Sequence, residues 1–476
     1  MEQTMIQEKL FCHGCNEKFA VADDERQCPQ CGQTLTELDD AATVEYADMA
    51  ARGTMVGGQD DSAGSDEELI GTDLGIYHLN AFLGKGGMAR VYRAKHLMLE
   101  RPCAIKVLNP QLVARNPEYV KMFLSEARAA ASLVHPNVVT IHTIGHDRGL
   151  HFIEMEYIIG RSLHRFLESA GRLDPTQATQ FIVQICSALA EAHRMDMVHR
   201  DIKPGNVLVT SSGAAKLADF GLAKQVVAAG RSPQGYTPAG TPYYMAPELF
   251  TGTPADKRSD VYAMGVTYFF LLSSRLPYVD QSFMELAVRH AKDPVPDIRQ
   301  VRSDAPDEAN AVIQRALAKK PADRHADASE LYDELRAVYG GLRSLQSLLT
   351  DALAGTDVEL QGVGNRFTIR VPLPGTRSQG VVVESCRGAA IAEQVIKIFS
   401  VCGPANDTYF RRALELNAEM PHGSIAIEQI DGRLCFVMAN AYPRATCDPE
   451  EIRRSVLMIA KHADQVEQFL TTVDHH

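Results

Sequence analysis

The sequence predicts an α+β protein whose main part has two lobes, a sheet-rich half followed by a helix-rich half. Strand-like runs crowd together at 77–83, 90–94 and 103–108, while beyond Gly160 the apolar residues fall into long amphipathic helical stretches at 175–194 and 256–272. At 476 residues the chain also exceeds what one core sustains, so further domains are expected beside this one. We divide it into a cysteine module at 10–35, an acidic linker at 36–73, the mixed domain at 74–340 and an α+β segment at 341–476.

Four of the ten cysteines lie in the first 31 residues, as two pairs, Cys12 with Cys15 and Cys28 with Cys31. Four thiolates at that spacing can meet one tetrahedral ion, and the module resembles a zinc ribbon. The resemblance implies a structural zinc that supplies most of the module's stability, since so few residues bury little apolar surface. A redox dithiol is the competing reading, and His13 is read as a bystander. The other six cysteines are scattered singly, which argues for a reducing, cytoplasmic setting and against a disulfide framework.

Between Thr36 and Asp73 stand 11 acidic residues and one base, Arg52, so most of the net charge of -12 sits in that segment. With its glycines and serines it reads as a solvated, self-repelling linker. No basic stripe collects phosphates, so nucleic acid is not an expected partner. No apolar stretch reaches the length of a membrane span, and Met1, Glu2 and Gln3 begin no secretory signal.

Within the mixed domain, a helix is expected at 118–133 and strands at 138–144 and 151–157. A crevice between the lobes is the natural ligand site. Gly84, Lys85, Gly86 and Gly87 form a turn between two strands, where backbone amides can approach phosphate oxygens. Lys106 lies in the apolar strand 104–108, where an ammonium needs an anion, and Glu126 in the next helix is its candidate partner. The run His199, Arg200, Asp201, Ile202, Lys203, Pro204, Gly205, Asn206 offers a carboxylate, a cation and an amide oxygen. Phosphoryl transfer asks for those three groups. Asp219, Phe220 and Gly221 follow, then Ala246, Pro247 and Glu248. Taken singly, such residues are more often structural ion pairs and caps.

In this order and spacing they resemble the bacterial branch of the eukaryotic-like (Hanks-type) serine/threonine protein kinases, over about 265 of the 476 residues. The resemblance implies that Asp201 orients an acceptor hydroxyl and takes its proton, with Lys203 beside it. It further implies that Asn206 and Asp219 hold magnesium and that Lys106, fixed by Glu126, binds ATP phosphates. Val91, Ala104 and Leu208 would sandwich adenine, Met155 would guard the pocket, and Glu156 to Ile158 would form the hinge. Lys203 and Thr241 match the serine/threonine pattern, and Ala89 stands where many relatives place a third glycine. Glu248 with Arg324, and Asp260 beneath the catalytic loop, are read as structural. Because Arg200 precedes Asp201, phosphorylation of the activation segment is expected, with Thr237 preferred over Ser232 and Thr241. A catalytically silent kinase fold and a small-molecule phosphotransferase are the competing readings.

The last segment reads as a helix at 342–353, strands at 366–371, 380–384 and 395–401, a helix at 409–420, strands at 424–427 and 434–438, and a long helix from Pro449. With Leu416, Asn417 and the run Ala441, Tyr442, Pro443, this order resembles the type III secretion chaperone-like fold, which implies a dimerising, peptide-binding module. The alternative is a plain regulatory or structural domain. Cys386, Cys402, Cys435 and Cys447 are read as core thiols.

Overall fold

A computed structural model describes residues 69–472, apart from Gly87, 221–241, Gln281, 388–393 and Pro421, together with three short strands near the N-terminus. Those strands, β1 (Lys9–Cys12), β2 (Glu17–Ala20) and β3 (Thr36–Glu37), pair antiparallel in the order β2-β1-β3. Cys12 ends β1, whereas Cys15, Cys28, Cys31 and most of the acidic linker lie outside the described residues.

By mutual contact the chain falls into two compact units, one of 1–173, 184–302 and 313–331, the other of 174–183, 303–312 and 332–476. In the first, β4 (Asp73–Leu74), β5 (Tyr77–Lys85), β6 (Ala89–His96), β7 (Pro102–Leu108), β8 (Ile141–Asp147) and β9 (Leu150–Met155) form a six-stranded antiparallel sheet in the order β4-β5-β6-β7-β9-β8. Apolar residues on both faces drive it: Leu79, Tyr92, Cys103 and Ile105 are buried against Phe152 on one side, while Leu83, Val91 and Ala104 line the other. Full burial of each leucine, isoleucine, valine or phenylalanine among them contributes about 1.5–3 kcal/mol relative to exposure. After the short α1 (Pro110–Arg115), helix α2 (Glu118–Ala131) lays Phe123 and Ala127 on Ala89, Leu108 and Ile153.

Sequence periodicity started β8 at Val138, three residues early. Val138 and Val139 instead meet Leu217 from the helical lobe, Val138 through an isolated parallel bridge and Val139 by donating its N–H to the Leu217 carbonyl at 2.9 Å. Their apolar character serves that cross-lobe pairing.

The helical part contains β10 (Gly160–Ser162), α3 (Leu163–Ala170), α4 (Pro175–Arg194), β11 (Val207–Thr210) and β12 (Ala215–Leu217), the three strands forming a small antiparallel sheet. There follow α5 (Pro247–Phe250), α6 (Lys257–Ser273), α7 (Phe283–Lys292), α8 (Ile298–Val301), α9 (Asp307–Ala316) and α10 (Ala328–Leu342), of which the first parts of α4 and α9 and most of α10 are counted with the second unit. Helix α6 opens on a capping box in which Asp256 accepts from the Arg258 and Ser259 amides and Ser259 reciprocates. Read as amphipathic from its sequence, α6 is instead buried on nearly every side from Ser259 to Leu272. It is the central pillar of this lobe, as an all-round apolar helix should be.

The second unit carries α11 (Leu345–Ala352), β13 (Glu359–Val363), β14 (Arg366–Pro372), β15 (Ser378–Arg387), β16 (Gln394–Pro404), α12 (Phe410–Glu419), β17 (Ser424–Ile430), β18 (Arg433–Pro443) and α13 (Pro449–Thr472). Its sheet runs β13-β14-β15-β16-β18-β17, all antiparallel. Strand β14 alternates buried Phe367, Ile369 and Val371 with exposed neighbours, and α13 lays Ile452, Val456, Ile459, Ala463 and Val466 on the same core. Cys402 and Cys447 are buried there, and burial pushes both thiols up to about 12, whereas Cys386 and Cys435 are half-buried. Gly340 on α10 fits closely against the β18–α13 turn: a β-carbon there would stand 2.2 Å from the Ala445 carbonyl oxygen.

Candidate active site

Every described residue of the candidate site belongs to the first unit. Lys106 sits in the middle of β7, opposite Val91 on β6 and Ile153 on β9. Its Nζ donates to Asp219 Oδ1 at 2.6 Å and lies 3.8 Å from Glu126 Oε1. Burial alone would pull the ammonium's pKa down, but the Asp219 and Glu126 carboxylates outweigh it and hold the pKa above its ordinary value. The sheet lobe thus offers a fixed positive charge against a carboxylate from the helical lobe.

Asp219 has φ +57° and Arg200 has φ +69°, left-handed conformations that a non-glycine residue adopts only when its surroundings enforce them. Asp260, 1% exposed on α6, supplies that enforcement for the loop. Its Oδ2 accepts from the His199 amide at 2.6 Å and its Oδ1 from the Arg200 amide at 2.7 Å. His193 from α4 donates from Nε2 to the same Oδ2 at 3.1 Å. His199 Nδ1 accepts from the Asp201 amide at 3.2 Å, so its Nε2 carries the proton and donates to the Ala218 carbonyl at 3.1 Å. Burial pulls the His199 pKa down, in keeping with a neutral ring. Phe220 packs on that ring with centroids 4.7 Å apart.

Within the loop, Asn206 Nδ2 donates to the Asp201 carbonyl at 2.7 Å and to Asp201 Oδ2 at 3.0 Å, while Lys203 Nζ lies 3.2 Å from the same Oδ2. Asn206 is fully buried, and its Oδ1 has no hydrogen-bond partner. An unsatisfied buried acceptor costs about 1–3 kcal/mol, and a hard cation offsets that cost. Asn206 Oδ1 and the Asp219 carboxylate are oxygen donors of the kind magnesium takes, so the residues present fit that ion.

Leu83, Val91, Ala104, Val139, Met155, Ile158, Leu208 and Ala218 form one buried apolar cluster drawn from both lobes, bordered by Ile141 and Tyr157. Ala104 is opposite Met155 across β7 and β9, and Glu156 follows with its amide donated to Thr140. Gly84 and Lys85 end β5, the Gly86 amide donates to the Ala89 carbonyl at 2.8 Å, and Gly87 lies outside the described residues. Ser232, Thr237 and Thr241 lie outside them as well.

Apart from the cleft, Glu248 and Arg324 form a two-pronged pair, NH1 to Oε1 and NH2 to Oε2, each at 2.8 Å. Ser259 Oγ donates to Glu248 Oε1 at 3.0 Å, and the guanidinium lies 4.8 Å from the centre of the Tyr262 ring. Burial would raise the Glu248 carboxyl, but Arg324 holds it below the usual carboxylate range.

Two residues absent from the sequence reading belong to the site's frame. His193 is one. Lys216 on β12 is the other, donating from Nζ to Glu156 Oε2 at 2.9 Å. The only sequence signal for Lys216 is a cation inside the apolar run 215–218.

Residues 77–334 match the protein kinase domain family. The chain is 35% identical over 272 residues to the serine/threonine-protein kinase PrkC of Bacillus subtilis, covering 57% of this chain and 42% of that protein. It is 36% identical over 283 residues to PknB of Mycolicibacterium smegmatis, covering 58% and 45%, and 37% identical over 267 residues to PknH of Mycobacterium tuberculosis, covering 56% and 42%. The chain therefore spans less than half the length of these relatives.

Proposed function

The chain belongs to the protein kinase family, and from that premise we propose that it transfers the γ-phosphate of ATP to serine or threonine hydroxyls of other proteins. The observation that carries this is the meeting of Lys106 from the sheet lobe with Asp219 from the helical lobe at 2.6 Å, beside a loop that holds Asp201.

The apolar walls Val91, Ala104 and Leu208 take the adenine, with Met155 behind it and the backbone of Glu156 to Ile158 along its edge. Lys106 binds the α- and β-phosphates, with Glu126 as a second carboxylate 3.8 Å from its ammonium. The glycine-rich run of Gly84, Gly86 and Gly87 is assigned to the phosphates from its sequence. Magnesium, when bound through Asn206 and Asp219, neutralises charge on the triphosphate. Asp201 orients the acceptor hydroxyl; the hydroxyl oxygen forms a bond to the γ-phosphorus, the bond from that phosphorus to the bridging oxygen breaks, and ADP leaves. The hydroxyl proton passes to the Asp201 carboxylate, and Lys203 offsets charge on the transferring group. A catalytically silent fold would not require this set together.

Incubation of the full chain with labelled ATP, magnesium and a protein acceptor tests the reading. Asp201→Asn is expected to lower kcat by about 10²–10⁴-fold, the range for loss of a positioned base. Equal labelling by wild type and variant defeats the proposal.

On the same footing we read Thr237 as the autophosphorylated residue and the chain as cytoplasmic. Cys12, Cys15, Cys28 and Cys31 are assigned to one structural zinc, and the 341–476 segment to a dimerising peptide-binding module that, with the zinc module, recruits protein partners. Phosphosite mapping, metal content and sedimentation of the full chain decide these points. Unmodified Thr237 in active protein, absence of stoichiometric zinc, or a monomer at all concentrations would each remove the corresponding assignment.

A further inference from the structure

Lys216 is half-buried on β12, three residues before Asp219. Its Nζ donates to Glu156 Oε2 at 2.9 Å and reaches the Val138 carbonyl at 3.5 Å. The same Glu156 oxygen accepts from the Thr140 amide at 3.2 Å, and the Glu156 amide donates back to the Thr140 carbonyl at 2.8 Å. Backbone bonds run alongside: the Leu217 amide donates to the Asn137 carbonyl at 2.7 Å, and the Val139 amide donates to the Leu217 carbonyl at 2.9 Å. Asn137 Nδ2 donates to the Ala215 carbonyl at 2.7 Å. Three segments are therefore tied into one block: 137–140, which enters β8; Glu156, which leaves β9; and β12, which leads to Asp219. Lys216 is the cation at their junction, and Glu156 is the carboxylate it neutralises.

We infer that Lys216 is a positioning residue that sets the spacing between the adenine-binding edge at Glu156–Ile158 and the phosphate-side carboxylate Asp219. The inference rests on the kinase reading for the identity of the ligand but makes its own demand on affinity. Without the ammonium, β12 loses its direct side-chain link to Glu156 and stays tied to 137–139 by the Leu217, Val139 and Asn137 hydrogen bonds. Glu156 then keeps an unpaired charge in a cleft that must admit a polyanion. Nucleotide binding weakens, while the Asp201 loop, held by Asp260 from α6, is untouched.

The test is binding of the fluorescent analogue mant-ATP to the full chain, together with steady-state kinetics in ATP. Lys216→Met is expected to raise both the mant-ATP Kd and the KM for ATP about tenfold, within the range of coupling between contacting residues. It should leave kcat within about twofold. Lys216→Arg should restore most of the affinity. Glu156→Gln should weaken binding similarly, and the double variant should be no worse than either single one, because both remove one interaction. A merely structural role would lower the active fraction and the melting temperature without moving Kd. An unchanged Kd in Lys216→Met, or additive losses in the double variant, overturns the inference. If wild type binds mant-ATP yet labels no protein, the kinase reading fails, while the Kd series still decides the role of Lys216.

Discussion

Two charge clusters in the same unit are built in opposite ways. Around Arg324 the arrangement is closed: both prongs of the guanidinium meet Glu248, Ser259 completes the carboxylate, and the Tyr262 ring lies nearby. Around Lys106 it is open: one carboxylate is at 2.6 Å, the other stands off at 3.8 Å, and the nearby loop keeps Asn206 Oδ1 without a partner. A closed cluster has no capacity left for a ligand. An open one keeps charge and lone pairs in reserve, and a polar group left unsatisfied in a folded protein is a mark of a working site.

Loss of Asp201 should slow the reaction by orders of magnitude while leaving the melting temperature nearly unchanged, because its side chain is partly exposed and asparagine has the same shape. A melting temperature that falls in step with activity would break the contrast. Arg324→Met should do the reverse. Removing one partner of a buried, hydrogen-bonded pair costs about 3–5 kcal/mol in chemical denaturation, and the fraction that remains folded should keep its kcat. A normal denaturation curve with lost turnover would make Arg324 part of the chemistry.

Asp260 belongs to both regions, bracing the loop from the central helix. Asp260→Asn replaces one acceptor oxygen by a donor facing backbone N–H groups. It should lower stability by about 1.5–3 kcal/mol and also reduce kcat, measured on the same sample.

The most gradual effect, spread over several pH units, lies beside the closed cluster. His290 is buried under Tyr262, whose hydroxyl is 2.8 Å from Nδ1. Burial, with Lys319 adding repulsion, lowers the His290 pKa from 6.5 to about 3. The folded chain therefore resists a proton that the unfolded chain accepts. Stability from the neutral ring is full above about pH 6.5 and drains as pH falls towards about 3, by at most about 1.4 kcal/mol per pH unit. His290→Gln should flatten that slope, measured by denaturation at stepped pH. An unchanged slope would place the acid sensitivity in another group.

The open cluster was more legible in the sequence than its frame. Lys106, Asp201, Asn206 and Asp219 stand at spacings that strand, loop and helix lengths hold fixed, so their chemistry shows through. Lys216 and His193 act through partners about 60 residues away, and a single cation or imidazole announces no partner. The period of α6 failed because a helix buried on all sides has no polar face to mark its turns. Strand β13 was missed for the opposite reason: it is largely exposed and shows no alternation. The apolar run at Val138 pointed to β8, but cross-lobe pairing with Leu217 had claimed its first residues.

The seat of Ala445 beside Gly340 bears on where this chain can be cut. Alanine inside a helix is ordinarily about 0.5–1 kcal/mol better than glycine, yet here a methyl group would strike a carbonyl oxygen. The end of α10 therefore gives up helical propensity to make room for a neighbour. A shortened chain stopping at Leu342 would keep the adjacent Gly340 and Gly341 and lose what fills the space beside them, leaving a final turn prone to fray. A cut that spares this helix must retain the 443–445 turn, or alanine must replace Gly340 once that turn is gone.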